Sequence, residues 1–371
     1  MGAWSTLRHG LFRLRHHWAR HGGAATLRLV AAKLTRVLIH REQLVPPERP
    51  DQLPVNDAIG FYSFVTRGPF GDAPDDAETT TVTWVIPDFG IGSGGHMTIF
   101  RAVQGLERAG YTCRIVVLNA RWENPARARQ VIRTHFLLLA AEVSFGAESL
   151  TPTWACVATS WETAYTVAAF SGAWKKFYFV QDYEPDFYTV GSEYFFAENT
   201  YRLGLIGITA GRWLAERLTH EFGMRTYWFG FSYDRPESGD ADRSESGKAA
   251  PAGRAGRDTR PTVFFYARPV TPRRGFELGL LTLNELARRL PDLHVVFAGW
   301  DVAQYRIPFD HECPGVVPHH ELPALFRRCD AGLVLSLTNV SLLPVEMMGA
   351  GCPVVSNGGA QTDWLLDDGV A

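Results

Sequence analysis

From Arg235 to Pro261 the chain reads RPESGDADRSESGKAAPAGRAGRDTRP, a run without one large apolar residue. Such a stretch has nothing to bury that would offset the entropy of ordering it, so no hydrophobic core can pass through it. It divides the 371 residues into two bodies, as length alone suggests, because single cores rarely grow past about 250–300 residues. The expected organisation is an arm over 1–41, an irregular lead-in over 42–80, a first domain over 81–234, a flexible linker over 235–261 and a second domain over 262–371.

On both sides of the linker, short apolar runs alternate with helical stretches. Strands are expected at Thr81–Ile86, Arg114–Leu118, Ala155–Thr159, Phe177–Val180 and Leu205–Thr209, with helices at Met97–Ala109 and Gly211–Glu221. After the linker come strands at Thr262–Tyr266, His294–Ala298, Ala331–Leu335 and Pro353–Ser356, and helices at Glu277–Leu290, Leu322–Arg328 and Leu343–Gly349. Strand–helix alternation with buried strands is the signature of parallel, doubly wound α/β sheets, so two Rossmann-like halves are expected.

Charge is unevenly spread. Met1–Arg41 carries eight Arg and Lys, five His and no acid, leaving 29 basic against 39 acidic residues in the rest of the chain. Leu7, Leu11, Leu14 and Trp18, then Leu27, Val30, Leu34 and Leu38, fall on helical stripes. A basic amphipathic arm of this kind suits an anionic membrane surface; packing on the protein's own domain is the competing reading. No stretch reaches the roughly 18 apolar residues of a membrane span, and no secretory signal is evident. The five cysteines are scattered and form no CxxC pair, which speaks for buried thiols and against a zinc site or a disulfide framework.

Three constellations carry chemistry. Gly90-Ile91-Gly92-Ser93-Gly94-Gly95-His96 joins a strand to a helix, where backbone N–H groups can approach a polar or anionic ligand. It contains the dinucleotide spacing GxGxxG, but the second strand ends Leu118-Asn119-Ala120-Arg121, without the acid that would hold a ribose hydroxyl. A nicotinamide oxidoreductase is therefore disfavoured. Arg268, Arg273 and Arg274 lie between a strand end and the mouth of the next helix. Guanidinium forks there could converge on one phosphate group; a solvated basic face is the plain alternative. Finally, Ser336–Asn357 runs from a strand end through a polar loop into a helix whose first turn holds Glu346. A carboxylate there is favoured by the helix dipole and can accept from vicinal ribose hydroxyls.

Taken in order, the glycine loop, the pattern Arg268–x4–Arg273–x–Gly275, and Glu346 followed by Ala350-Gly351-Cys352-Pro353-Val354-Val355 resemble the family 4 retaining glycosyltransferases of GT-B fold. The resemblance spans roughly Val82 to Trp364. The Gly-Gly-His loop, the turn Gln181-Asp182-Tyr183-Glu184-Pro185, the Arg-Pro and Gly-Phe-Glu-Leu segments, and Ser-Leu-Thr-Asn with Ser-Leu-Leu-Pro-Val-Glu-Met-Met look most like the bacterial rhamnosyltransferase subgroup.

The resemblance implies two Rossmann-like domains facing across a cleft, with a C-terminal domain that reads as truncated, since full domains of this kind continue for several elements. It implies transfer of a hexosyl group, rhamnosyl from dTDP-rhamnose in that subgroup, to a glycan or lipid-linked glycan acceptor. No cofactor, no metal and no nucleic-acid partner is expected, and the setting is cytoplasmic, peripheral at the inner face of the cell membrane. Arg268 and Arg273 would hold the donor diphosphate and stabilise its departure, with Arg274 a substitute for Arg273. Glu346 would bind the ribose, Ser341, Leu342 and Leu343 would lie by the phosphates, and Trp300 would wall the base. Gly94, Gly95 and His96 would face the sugar or acceptor, and Asp182, Tyr183 and Glu184 the acceptor side, with His96 and Asp182 in the catalytic set.

One departure concerns Thr338, beside Asn339 in the donor-side loop. It stands where family 4 commonly has a second Glu, eight positions before Glu346; a 6-deoxy sugar with one hydroxyl fewer is compatible with that loss. Against the transferase stand a non-catalytic nucleotide-sugar or membrane-associated binding protein and, further off, the NAD-dependent oxidoreductase.

Overall fold

The computed structural model describes residues 57–74, 80–232 and 260–366. The basic arm, residues 42–56 of the lead-in and nearly all of the linker lie outside the described residues.

The first half is a seven-stranded parallel sheet. Its elements are β1 (Thr81–Pro87), α1 (Gly94–Arg108), β2 (Thr112–Leu118), α2 (Pro125–His135), β3 (Glu142–Phe145), β4 (Thr153–Ala158), α3 (Trp161–Ala169), β5 (Ala173–Val180), α4 (Ser192–Asn199), β6 (Ile206–Ala210), α5 (Arg212–Phe222) and β7 (Thr226–Phe229). Strand order is β3-β2-β1-β4-β5-β6-β7. The order reverses between β1 and β4, which opens a crevice at their carboxyl ends.

The second half repeats the plan on a smaller scale. β8 (Thr262–Tyr266), α6 (Phe276–Arg289), β9 (His294–Ala298), β10 (His311–Gly315), α7 (Leu322–Arg328), β11 (Ala331–Leu333), α8 (Leu343–Gly349) and β12 (Val354–Val355) give the order β10-β9-β8-β11-β12, with the reversal between β8 and β11. A one-turn helix, α9 (Ala360–Asp363), follows. Every strand pair in both sheets is parallel, so the functional loops of each half emerge from one edge.

The side-chain period of two sends neighbouring residues of a strand to opposite faces. Val82, Trp84 and Ile86 enter one core of the first sheet and Val85 the other; Phe264 and Phe265 divide likewise in the second. Helices cover both faces, which is why the central strands are near-continuously apolar.

Three strands escape the sequence pattern, β3, β7 and β10, and all three are sheet edges. An edge strand with partly exposed residues on both faces carries no apolar run to mark it. Helix α3 was also unmarked: Trp161, Thr163, Ala164, Tyr165, Thr166 and Val167 are all buried, so no polar stripe sets its period. The equally unforeseen α2 is the opposite case, a charged helix started by an Asn124 cap and Pro125.

Described residues of the lead-in pack on the first half. Tyr62, Phe64 and Val65 sit against Trp161, Tyr165 and Phe196, and the Tyr62 hydroxyl donates to Glu193 Oε1 at 3.1 Å.

The two halves meet through side chains of Trp364 and Asn339. Trp364 lies against Gly211, a left-handed residue (φ 89°) at the start of α5, and a Cβ there would run into the indole. Its Nε1 donates to Asn339 Oδ1 at 2.9 Å. Gly211→Ala combines a strained φ with an overpacked contact and should lower stability by about 2 kcal/mol; a chemical-denaturation midpoint equal to the parent's would show that the indole has room to withdraw.

Candidate functional site

The carboxyl ends of β1 and β5 in the first half and of β8 and β11 in the second bring the predicted segments together. The glycine loop leaves β1, and Ser93 caps α1: its Oγ receives the His96 backbone N–H and lies 2.8 Å from His96 Nδ1. Burial lowers the His96 pKa to about 4, partly offset by the Pro87 carbonyl and the Asp88 charge, so the imidazole is neutral near pH 7. Its Nε2 is buried without a hydrogen-bond partner. Gly94 faces open space, since an added Cβ would meet nothing within 4 Å, and Gly95 faces the Gln181 amide. At the end of β2, where a nicotinamide fold would place its acid, Arg121 pairs with Asp88 at 2.7 Å.

At the end of β5 the turn Gln181–Glu184 does something the sequence did not reveal. Asp182 is buried (6% exposed) and its carboxylate is filled from both halves. Oδ1 accepts from the backbone N–H of Tyr183 (2.9 Å) and of Asn339 (2.8 Å); Oδ2 accepts from Thr338 Oγ1 (3.0 Å) and Arg273 Nε (3.2 Å). A carboxylate offers about four lone-pair sites, and all are used. The structure thus places Asp182, expected in the catalytic set and on the acceptor side, between the halves with its carboxylate engaged by both.

The side chains of its neighbours point elsewhere. Tyr183 is buried in the core, stacked on Tyr201 and covered by Arg217, whose guanidinium carbon is 3.5 Å from the ring centroid. Glu184 is buried at the start of α3, accepting from Trp161 N–H (2.8 Å) and the Tyr178 hydroxyl (2.7 Å). Both belong to the packing of the first half, because the chain turns inward after Asp182.

On the donor side, Arg273 also lies over the Phe187 ring (4.2 Å). Arg274 is turned inward, its Nη1 donating to Ser336 Oγ (2.7 Å) and the Asn339 carbonyl (3.4 Å). Burial lowers its pKa to about 10, and the nearby charges of Arg273 and Arg268 add to that while Asp182 opposes it. Arg273 and Arg268 are thus both electrostatic neighbours of Arg274. Arg268, at the end of β8, reaches the Gly299 carbonyl (3.5 Å) and lies 5.9 Å from the Trp300 ring centroid.

Thr338 and Asn339 are buried. The Asn339 side chain spends both amide protons on carbonyls of the first half, Gln181 at 2.9 Å and Ala210 at 2.7 Å. Ser341 Oγ is buried without a hydrogen-bond partner, and Leu342 and Leu343 form the mouth of α8. In the first turn of that helix, Glu346 Oε1 lies 2.9 Å from His319 Nε2 and 3.7 Å from Arg101 Nη1. Neither Arg101, on α1 of the first half, nor His319, after β10, was foreseen, since each is isolated in sequence from the motifs it joins. Among the described residues no group of three His, Cys, Asp or Glu is placed to hold a metal ion, and no helix is long and apolar enough to cross a membrane.

Comparison with known proteins bears on the same segments. Residues 261–368 match the family model described as the C-terminal domain of WsaF. Over 299 residues the chain is 35% identical to the O-antigen biosynthesis protein RfbC of Myxococcus xanthus, an alignment that spans 78% of this chain and 22% of that protein. The chain therefore spans less than a quarter of that relative's length.

Among solved structures, S. aureus TarM, determined with fondaparinux, α-GlcNAc-glycerol and UDP, superposes with a TM-score of 0.56 at 6% identity, covering 75% of this chain and 85% of that one. Anabaena HepE in complex with UDP and glucose gives 0.52 at 15%, covering 78% and 84%. WaaG, a glycosyltransferase involved in lipopolysaccharide biosynthesis, gives 0.52 at 12%, covering 76% and 83%. At these identities the likeness is one of fold, and the fold is GT-B: two Rossmann-like sheets with their loop-bearing edges brought together.

Burial raises the Glu184 pKa from 4.5 to about 8. The unfolded chain releases this proton near pH 4.5 and the folded chain only near 8, so rising pH across that window favours unfolding; the contribution is complete below pH 4.5 and lost as pH climbs through 8. Glu184→Gln should flatten the decline of the melting temperature between pH 5 and 8. Parallel declines in variant and parent would remove Glu184 as its source.

Proposed function

We propose that this chain transfers a glycosyl group, rhamnosyl from dTDP-rhamnose, to a glycan or lipid-linked glycan acceptor of the O-antigen class, with retention at the anomeric carbon. The observation that carries the reading is the arginine cluster. Arg268 and Arg273 both lie close enough to Arg274 for their charges to act on it, and Arg273 is bonded to the buried carboxylate of Asp182, which leaves positive charge within the set for a diphosphate to balance. The family 4 resemblance supplies the retaining outcome and the deoxy-sugar donor; the O-antigen relative and the GT-B fold support the class of acceptor and the use of a nucleotide sugar.

As the glycosidic bond breaks, negative charge grows on the departing diphosphate. Arg268 and Arg273 meet that charge with groups fixed beforehand, the kind of stabilisation that most lowers a barrier. Arg274 acts from behind, holding the Ser336–Asn339 loop by hydrogen bonds. Glu346 takes the ribose hydroxyls, exchanging its contacts with His319 and Arg101 for them, and Trp300 flanks the base next to Arg268. The neutral His96 and the open backbone at Gly94 and Gly95 face the sugar from the first half. The leaving phosphate itself receives the acceptor proton, and guanidiniums perform the charge neutralisation that a divalent ion would otherwise provide. The basic arm holds the chain near an anionic membrane surface where a lipid-linked acceptor resides.

Two measurements test this reading. Arg268→Ala should cost about 1.5–3 kcal/mol in binding dTDP or in transition-state stabilisation, read as a roughly ten- to hundredfold loss in nucleotide affinity or kcat/KM; unchanged affinity together with an unchanged rate would remove Arg268 from the site. Transfer from dTDP-rhamnose should persist undiminished in excess EDTA, whereas its abolition and recovery with Mg2+ or Mn2+ would place a metal in the reaction.

A further inference from the structure

The side chains between the halves form one continuous hydrogen-bonded line. It begins at the donor-side loop, where Asn339 N–H and Thr338 Oγ1 bind Asp182 and the Asn339 amide binds the Gln181 carbonyl. It ends at the glycine loop, where Gln181 Nε2 donates to the Gly95 carbonyl at 3.1 Å. Gln181 and Asp182 are adjacent, so a rigid two-residue turn connects the loop at the end of β11 to the start of α1. Arg273 joins the same carboxylate from the second half.

We infer that Asp182 is a positioning residue for the proposed transfer: it fixes the donor-side loop to the glycine loop, through Gln181, and touches neither donor nor acceptor. Three observations carry this. The carboxylate has no lone pair left for a substrate hydroxyl. It is buried, as are Tyr183, Thr338 and Asn339 that bind it, rather than facing open space as Gly94 does. And the Asn339 side chain already holds Gln181, Ala210 and Trp364 through both its amide protons and its carbonyl oxygen, so the donor-side loop can shift only by breaking several hydrogen bonds together. Loss of one partner from such a network leaves the others buried and unmatched, and the geometry relaxes along the whole line. Reactions of this kind are sensitive to displacements of about 1 Å.

The inference rests on the transferase reading, so its test has one arm that needs no turnover. In the full chain, Asp182→Asn and Gln181→Ala are compared by amide hydrogen exchange. Both should accelerate exchange at Gly95–Met97 by tenfold or more, with circular dichroism of the parent type. Protection unchanged in both variants would overturn the coupling whatever the enzyme turns over.

The second arm measures dTDP affinity and transfer from dTDP-rhamnose. Gln181→Ala, which cuts only the link to Gly95, should keep dTDP affinity within about threefold and lower kcat by tenfold or more. Asp182→Asn should lower kcat with the shape of the pH–rate profile preserved. Disappearance of one limb of that profile in Asp182→Asn would make Asp182 the acid or base itself and overturn the positioning role. Should Asp182→Asn not fold, Thr338→Val, which removes one donor to the carboxylate, replaces it with the same expectations. Accelerated exchange in a chain whose parent transfers no sugar from dTDP-rhamnose would uphold the coupling and set aside only the transferase reading.

Discussion

A buried carboxylate shared between two halves of a protein is held in place by the cost of the alternatives. Taking Asp182 out of water costs several kcal/mol, recovered only when its lone pairs are matched. Here they are matched by the Tyr183 backbone of the first half and by Arg273, Thr338 and the Asn339 backbone of the second. Pulling the halves apart at this point would expose unpaired donors and acceptors on both sides. Together with the Asn339 amide and the Trp364 indole, this group holds the two sheet edges in place.

The same interaction sets the electrostatics of the donor side. With Asp182 committed to Arg273, Arg274 remains buried, and its pKa is lowered first by that burial and then by the neighbouring charges of Arg273 and Arg268. Glu346, facing Arg101 from the first half, adds a second charged contact between the halves.

What the sequence disclosed and what it withheld follow from where physical signals are local. Central strands such as Thr262–Tyr266 and His294–Ala298 carry buried residues on both faces and could be read directly, and Arg268, Arg273 and Glu346 stood out because each lies at an element end with motif residues beside it. The edges β3, β7 and β10 could not be read, having no continuous apolar run. Asp182, Tyr183 and Glu184 drew notice together as polar residues past a strand end, yet the three part company in space: one bridges the halves, one stacks in the core, one binds the start of α3. Nothing within five residues of Asp182 announces Asn339, and nothing near Glu346 announces Arg101 or His319. Pairings across 27 positions, as for His319 and Glu346, or 157, as for Asp182 and Asn339, are products of the fold.

That separation also bears on the order in which the molecule becomes itself. Each sheet is closed by crossovers between near neighbours in the chain, and domains generally fold as units, whereas Asp182 and Asn339 stand 157 positions apart. Such distant contacts are the slow ones to form. Arg273 therefore acquires its carboxylate only after both sheets exist, and until that moment the newly made second half carries that guanidinium without its counter-charge.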